Sequence, residues 1–185
     1  MSTLKTTSIT KGINSGTANL GLASDGSITF AKTMFASYAI IADQKSAGTG
    51  GGTAFANAWT DVVLQTEIAD PDSIVTIASD QFTLGAGNYL IKWKKSFFAT
   101  QRVVTRLYDV TNSAVKQHSM TVGAFKTSGA VTFSHGIARV TPTGSTAYKF
   151  QYYADNQDGD GQGVDAPDDE GVGIYLLVEI YKEAS

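Results

Sequence analysis

The 185-residue sequence contains no cysteine. Disulfide frameworks, zinc–thiolate sites, iron–sulfur clusters and cysteine nucleophiles are thereby excluded. Proline is scarce, at 3 residues, and charged residues make up 17% of the chain, below the roughly 25% of ordinary soluble domains. A surface so short of charge suits a protein partly covered by copies of itself. The net charge of -3 lacks the strongly basic footprint of a general nucleic-acid binder, so no nucleic-acid partner is expected. Apolar runs such as Ile174 to Val178 fall far short of a bilayer span, and no membrane insertion is expected. The opening MSTLKTTSITKG has no apolar core of a secretory signal. No segment sustains a 3.6-residue apolar stripe for three turns, so helix is expected to be minor.

What is present is β-forming. Short runs of Val, Ile, Thr, Phe and Tyr recur between turn signals, and glycine is frequent, at 19 residues. This is the pattern of an antiparallel two-sheet sandwich or barrel. In NLGLASDGSITFAK, Asp25-Gly26 separates two alternating runs and predicts a hairpin, because both turn residues need positive φ. A Thr/Ser-rich lead precedes it, so residues 1–36 read as an arm with a hairpin and residues 37–185 as one domain.

Strands are then predicted in YAIIADQ, AWTDVVLQTEI, SIVTIAS, RVVTRLYDV, SAVKQHSMTV, AVTFSHGIARV, AYKFQYY and VGIYLLVEIY. The glycine run SAGTGGGT, residues 46–53, reads as a flexible surface loop; no Gly-Lys-Ser/Thr ends it as a phosphate cradle would require. In QFTLGAGNYLIKWK, a strand meets a Gly-Ala-Gly corner and a second strand follows, with Tyr89, Ile91 and Trp93 on one face and Leu90, Lys92 and Lys94 on the other.

The closing strand alternates Val172, Ile174, Leu176, Val178 and Ile180 with Tyr175, Leu177 and Tyr181. A strand apolar on both faces is covered on both. One cover is the sandwich core and the other a neighbouring subunit, which places Tyr175 and Leu177 at an interface. Tyr148 and Tyr152 show the same aromatic surplus and join them, the alternative being scattered surface aromatics.

The acidic loop DNQDGDGQGVDAPDDEG, residues 155–171, offers hard oxygen ligands, with Asp158, Asp160 and Asp165 as calcium candidates. The bidentate Glu of a hand-type loop is replaced by Pro167, and the alternative is a solvated acidic loop. No other cofactor is indicated. His118 and His135 have no partner at ligand or triad spacing; His135, in phase with Val131 and Phe133, reads as a half-buried side chain. Lys92, Lys94, Lys95, Arg102 and Arg106 form a local basic cluster. No catalytic residues are assigned.

The ordered motifs FTLGAGNYLI, RLYDVTN and YLLVEIYKE resemble the complement-type globular head, the tumour-necrosis-factor-like jelly roll, in the version found in bacteriophage structural proteins. The resemblance covers roughly residues 38–185. It implies a ten-stranded jelly roll, a compact homotrimer with closing-strand aromatics near the threefold axis, and a non-enzymatic virion component such as a fibre tip, head fibre or decoration. The protein would be assembled in the host cytoplasm and attached to other virion proteins through the arm. The alternatives are a receptor- or glycan-binding module of a phage tail and, third, a glycan hydrolase, which needs two carboxylates facing each other across a cleft.

Overall fold

The computed structural model describes residues 8–10, 18–22, 28–30, 34–125, 129–165 and 171–184. Strands β1 (Ser8–Thr10), β2 (Ala18–Leu22) and β3 (Ile28–Phe30) form a small sheet of their own. Leu22 lies opposite Ile28 and Leu20 opposite Phe30. The two strands do pair as a hairpin, but one residue out of register with a two-residue Asp25-Gly26 turn, which would set Leu22 opposite Thr29; the connection itself lies outside the described residues.

The larger body contains β4 (Phe35–Ser46), β5 (Thr60–Asp61), β6 (Thr66–Ala69), β7 (Val75–Ala78), β8 (Gln81–Leu84) and β9 (Tyr89–Phe98). It continues with β10 (Gln101–Asp109), β11 (Ala114–His118), β12 (Val122–Ala124), β13 (Val131–Val140), β14 (Thr146–Ala154) and β15 (Val172–Glu183). One antiparallel sheet runs β11-β10-β14-β8-β7, with β5 added to β14 and β12 to β10; the other runs β13-β9-β15-β4-β6. The described residues include no helix. The molecule is an all-β, two-sheet jelly-roll sandwich.

Its core lies between the sheets. Ile41, Ile91, Trp93, Phe97, Leu176, Val178 and Ile180 face Phe82, Leu84, Leu107, Tyr148, Phe150 and Tyr152. Burying a side chain of this size contributes about 1.5–3 kcal/mol. Phe82 stacks between Tyr148 and Phe150 at centroid distances of 5.6 and 5.7 Å. The Gly-Ala-Gly corner carries the chain from β8 in one sheet to β9 in the other.

Two predicted strands are interrupted. AWTDVVLQTEI divides because it changes sheets: β5 pairs with β14, β6 pairs with β4, and buried Val62 and Leu64 plug the crossing. SAVKQHSMTV divides into β11 and β12, which share β10 as their partner. In RLYDVTN, Asp109 ends β10 and fixes the turn, accepting hydrogen bonds from Asn112 N and Nδ2, both at 2.9 Å, and pairing with Lys116. Burial would raise its pKa, but these partners hold the carboxyl below its usual value.

The closing strand departs from strict alternation. A register shift between Ile174 and Leu176 against β4 inserts one residue. A one-residue bulge moves every later side chain to the other face. Leu176, Val178 and Ile180 therefore enter the core, whereas Val172 and Ile174 are exposed.

At the edge between β13 and β10, Trp93 crosses the sandwich and donates Nε1–H to Thr105 Oγ1 at 2.7 Å. Thr105 and Ser119 both hydrogen-bond Ser134, so four polar side chains close this edge. The indole lies against Gly136, where a Cβ would come within 1.9 Å of the ring. Gly136→Ala is expected to lower stability by about 1–3 kcal/mol through overpacking, and chemical denaturation would measure it; wild-type stability in that variant would contradict this packing.

Candidate functional site

The expected subunit-contact residues separate. Tyr148 and Tyr152 are 1% and 0% exposed, facing the core of their own chain, so neither meets a neighbour. Their parity on β14 explains the aromatic surplus: 148, 150 and 152 point inward, and Tyr153 points out. Tyr175 is also buried within the chain, at 4% exposure. The bulge turns it under the glycine loop, where its hydroxyl donates to Thr49 O at 2.7 Å. Leu177 alone of the four lies half-buried on the outer face of the five-stranded sheet.

That outer face is unusually apolar. Tyr38, Val131, Phe133, Ile137, Val172 and Ile174 are each at least 43% exposed there. Cross-strand register places Ile137, Lys92, Glu179 and Ile40 in one row, and His135, Lys94 and Leu177 in the next. The lysines lie across rings: Lys92 Nζ is 5.2 Å from the Tyr181 centroid and Lys94 Nζ is 4.2 Å from that of Phe133. His135 is exposed rather than half-buried, because the inward positions of β13 are Ser134, Gly136, Ala138 and Val140. Small residues there make room for Trp93.

A groove of about 650 Å³ runs along the β13 edge of this face, lined among others by His118, Met120, His135, Ile137, Leu177 and Glu179. It brings together two histidines that the sequence separates. Among the described residues, Glu179 is the only carboxylate lining it.

The basic cluster is divided as well. Lys95 is fully buried on the inner face of β9, and Asp43 is fully buried on the inner face of β4. They flank Leu176 across the sheet. Lys95 Nζ donates to Gln162 O at 2.7 Å and Ser96 O at 3.2 Å. Neither oxygen of Asp43 has a hydrogen-bond partner among the described residues. Burial pushes the Lys95 amine down to about 7, against the attraction of Asp43. Burial also pushes the Asp43 carboxyl up, against the attraction of Lys45 and Lys95.

The glycine run seals this end. Gly51 N donates to Gly163 O at 2.8 Å, and Lys45 Nζ donates to Gly50 O and Gly51 O. A Cβ at Gly51 or Gly163 would approach the Tyr175 ring to 2.8 or 2.5 Å. The run is a packed closure against the acidic loop, not the open flexible loop its composition predicts. Asp158 Oδ1 accepts the Asp160 N–H at 3.1 Å, and Asp158, Asp160 and Asp165 do not gather into an ion-holding group among the described residues. Asp168, Asp169 and Glu170 lie outside the described residues.

The outer face of the seven-stranded sheet carries a different arrangement. His118, Arg106, Gln151 and Asp61 form one cross-strand row over four strands. Arg106 Nε and Nη2 donate to Gln151 Oε1 at 2.9 and 2.7 Å. Gln151 Nε2 donates to Asp61 Oδ1 at 2.7 Å, and Lys149 Nζ donates to Asp61 Oδ2 at 2.8 Å. The Arg106 guanidinium lies 3.9 Å from the Trp59 ring centroid and 5.3 Å from that of Tyr108. Trp59 also has His118 and Tyr153 at 5.7 Å. Sequence alternation marks Arg106 and Tyr108 as sharing a face, but Trp59 arrives from the residue just before β5, a two-residue strand without a periodic signal.

No family model matches the chain, and no curated protein matches it. Solved structures do. Murine APRIL at pH 5.0 aligns over 79% of this chain and 98% of its own, with 10% identity and a TM-score of 0.55. The globular domain of zebrafish complement 1qA aligns over 79% and 96%, with 14% identity and a TM-score of 0.51. Eiger TNF from S. frugiperda aligns over 83% and 95%, with 12% identity and a TM-score of 0.52. The fold is therefore the jelly roll of the tumour-necrosis-factor and complement-type globular heads, as the motif resemblance implies.

The buried amine sets a pH dependence. The folded-state pKa of Lys95 lies below its ordinary value of 10.5, so between about 7 and 10.5 the unfolded chain binds more protons. Stability contributed through this group rises with pH across that window. The melting temperature is expected to carry this upward slope in the wild type and to lose it in Lys95→Met; calorimetry at a series of pH values from 7 to 10 would show it, and parallel profiles would refute it.

Proposed function

We propose that the chain is a non-enzymatic, homotrimeric structural protein of a phage virion, a fibre tip or capsid decoration. The observation that carries the trimer is the exposed apolar face of the five-stranded sheet. Tyr38, Phe133, Ile137 and Ile174 stand in water there in a single chain. Contiguous apolar patches of this kind mark interaction surfaces. Three copies meeting around an axis would cover these residues together with Leu177; Lys92 and Glu179, opposite each other across β9 and β15, offset in charge there, and Lys94 lies across the Phe133 ring.

The jelly-roll fold is compatible with this assembly, and the phage placement rests on the motifs FTLGAGNYLI, RLYDVTN and YLLVEIYKE. Residues 1–36 are the proposed attachment arm and residues 37–185 the projecting domain. A structural rather than hydrolytic role is favoured because, among the described residues, the large groove offers one carboxylate, Glu179, where glycoside hydrolysis uses two.

Light scattering is expected to give a mass near three chains of 19.5 kDa. Ile137→Asp and Leu177→Asp should each shift it to the monomer while leaving the β-sheet circular dichroism intact, since both side chains lie outside the core. An unpaired carboxylate buried in each contact costs on the order of 3–5 kcal/mol. A wild-type monomer would overturn the trimer. Mass spectrometry of purified particles lacking this chain would overturn the virion assignment.

A further inference from the structure

We propose that the outer face of the seven-stranded sheet is a saccharide-binding platform built from Trp59, Tyr108, Arg106, Lys149, Asp61 and Gln151, and that its ligand is a neutral pyranose chain with vicinal hydroxyls. The rings are half-buried and held in place: Trp59 is packed by Arg106 on its face and flanked by Tyr153 and His118. Rigid aromatic side chains offer large contact area at low entropic cost. The faces of pyranose rings carry C–H groups that stack on such surfaces, and their hydroxyls each donate and accept.

The polar groups supply both halves of that requirement. Asp61 provides an acceptor, is 52% exposed at its side chain, and is already oriented by Lys149 and Gln151. Arg106 and Lys149 provide donors, oriented by Gln151 and Asp61 respectively. The hydrogen bonds among them fix the geometry before a ligand arrives, which lowers the cost of binding. Lys149 and Asp61 offset each other, and the Arg106 guanidinium, held by Gln151 and lying against the Trp59 and Tyr108 rings, leaves a single net positive charge, short of the broad positive field an anionic polymer would call for. The face is mixed in polarity, unlike the apolar face of the opposite sheet, and it would point away from the proposed trimer contact.

The test is a printed array of neutral and acidic oligosaccharides, with glucose, galactose, mannose and N-acetylglucosamine oligomers as the neutral probes, followed by isothermal titration of each hit. The full chain is expected to bind at least one neutral oligomer. Trp59→Ala and Asp61→Asn, checked for an unchanged melting transition, should each weaken that binding at least about tenfold, as loss of a central contact does. Should Trp59→Ala fail to fold, Lys149→Met reads the same platform from its polar side.

No neutral oligomer bound by the wild type, or binding that survives both substitutions, overturns the platform. Binding confined to acidic saccharides overturns the ligand class. The Leu177→Asp chain keeps the platform intact, so its binding separates this proposal from the fate of the trimer.

Discussion

The single inserted residue in β15 decides which side chains of the five-stranded sheet meet the core and which meet water. With period-two alternation carried unbroken from Val172, Leu176, Val178 and Ile180 would share a face with Val172 and Ile174. The bulge separates the two groups, so the lower part of the strand completes the core and the upper part adds Val172 and Ile174 to the exposed surface. It also aims Tyr175 into the closure made by Thr49, Gly51 and Gly163. One irregularity thus couples the core, the apolar outer face and the packing of the two loops at the end of the sandwich.

Beneath that closure, the chain keeps two ionisable groups where hydrophobic residues would fit. Lys95 and Asp43 sit on either side of Leu176, each more easily neutral than in water. Buried charges are weak evidence for stability and carry a desolvation penalty that a hydrophobic replacement avoids. Their structural use is specific: Lys95 holds Gln162 O, and Gln162 in turn donates to Thr53 O at 3.0 Å. Lys95 therefore ties the inner face of β9 to both loops, which also meet through backbone hydrogen bonds at Gly51, Gly52 and Ala54.

Most of the architecture was legible from period and turn chemistry. Tyr89, Ile91 and Trp93 face the core and Lys92 and Lys94 do not, as alternation requires, and the Gly-Ala-Gly corner does connect two strands. The surfaces were harder to read because parity within a strand gives two faces without saying which is inward. Tyr148 and Tyr152 read as surplus aromatics and are core; His135, read as half-buried from its phase with Val131 and Phe133, is exposed along with them. For β13 the deciding fact was the small set Ser134, Gly136 and Ala138, meaningful only once Trp93 is known to lie over it. Lys95 was grouped with exposed bases by adjacency in sequence, although it shares the phase of Trp93. The Trp59–Arg106 stack joins segments 47 positions apart through a two-residue strand, and local pattern does not reach that far.

The order of the strands in the five-stranded sheet has a further consequence for how the chain is made. The middle strand, β15, follows in sequence both strands that flank it, β4 and β9. Until residues 172–183 are synthesised, those neighbours have no partner in the gap between them, and each presents a row of open backbone donors and acceptors. Such edges pair with whatever strand is near, including that of another nascent chain. Synthesis therefore holds the sheet open around an empty slot and closes it in one late event, so the interval before closure is the period when a crowded ribosome cluster is most exposed to misassembly.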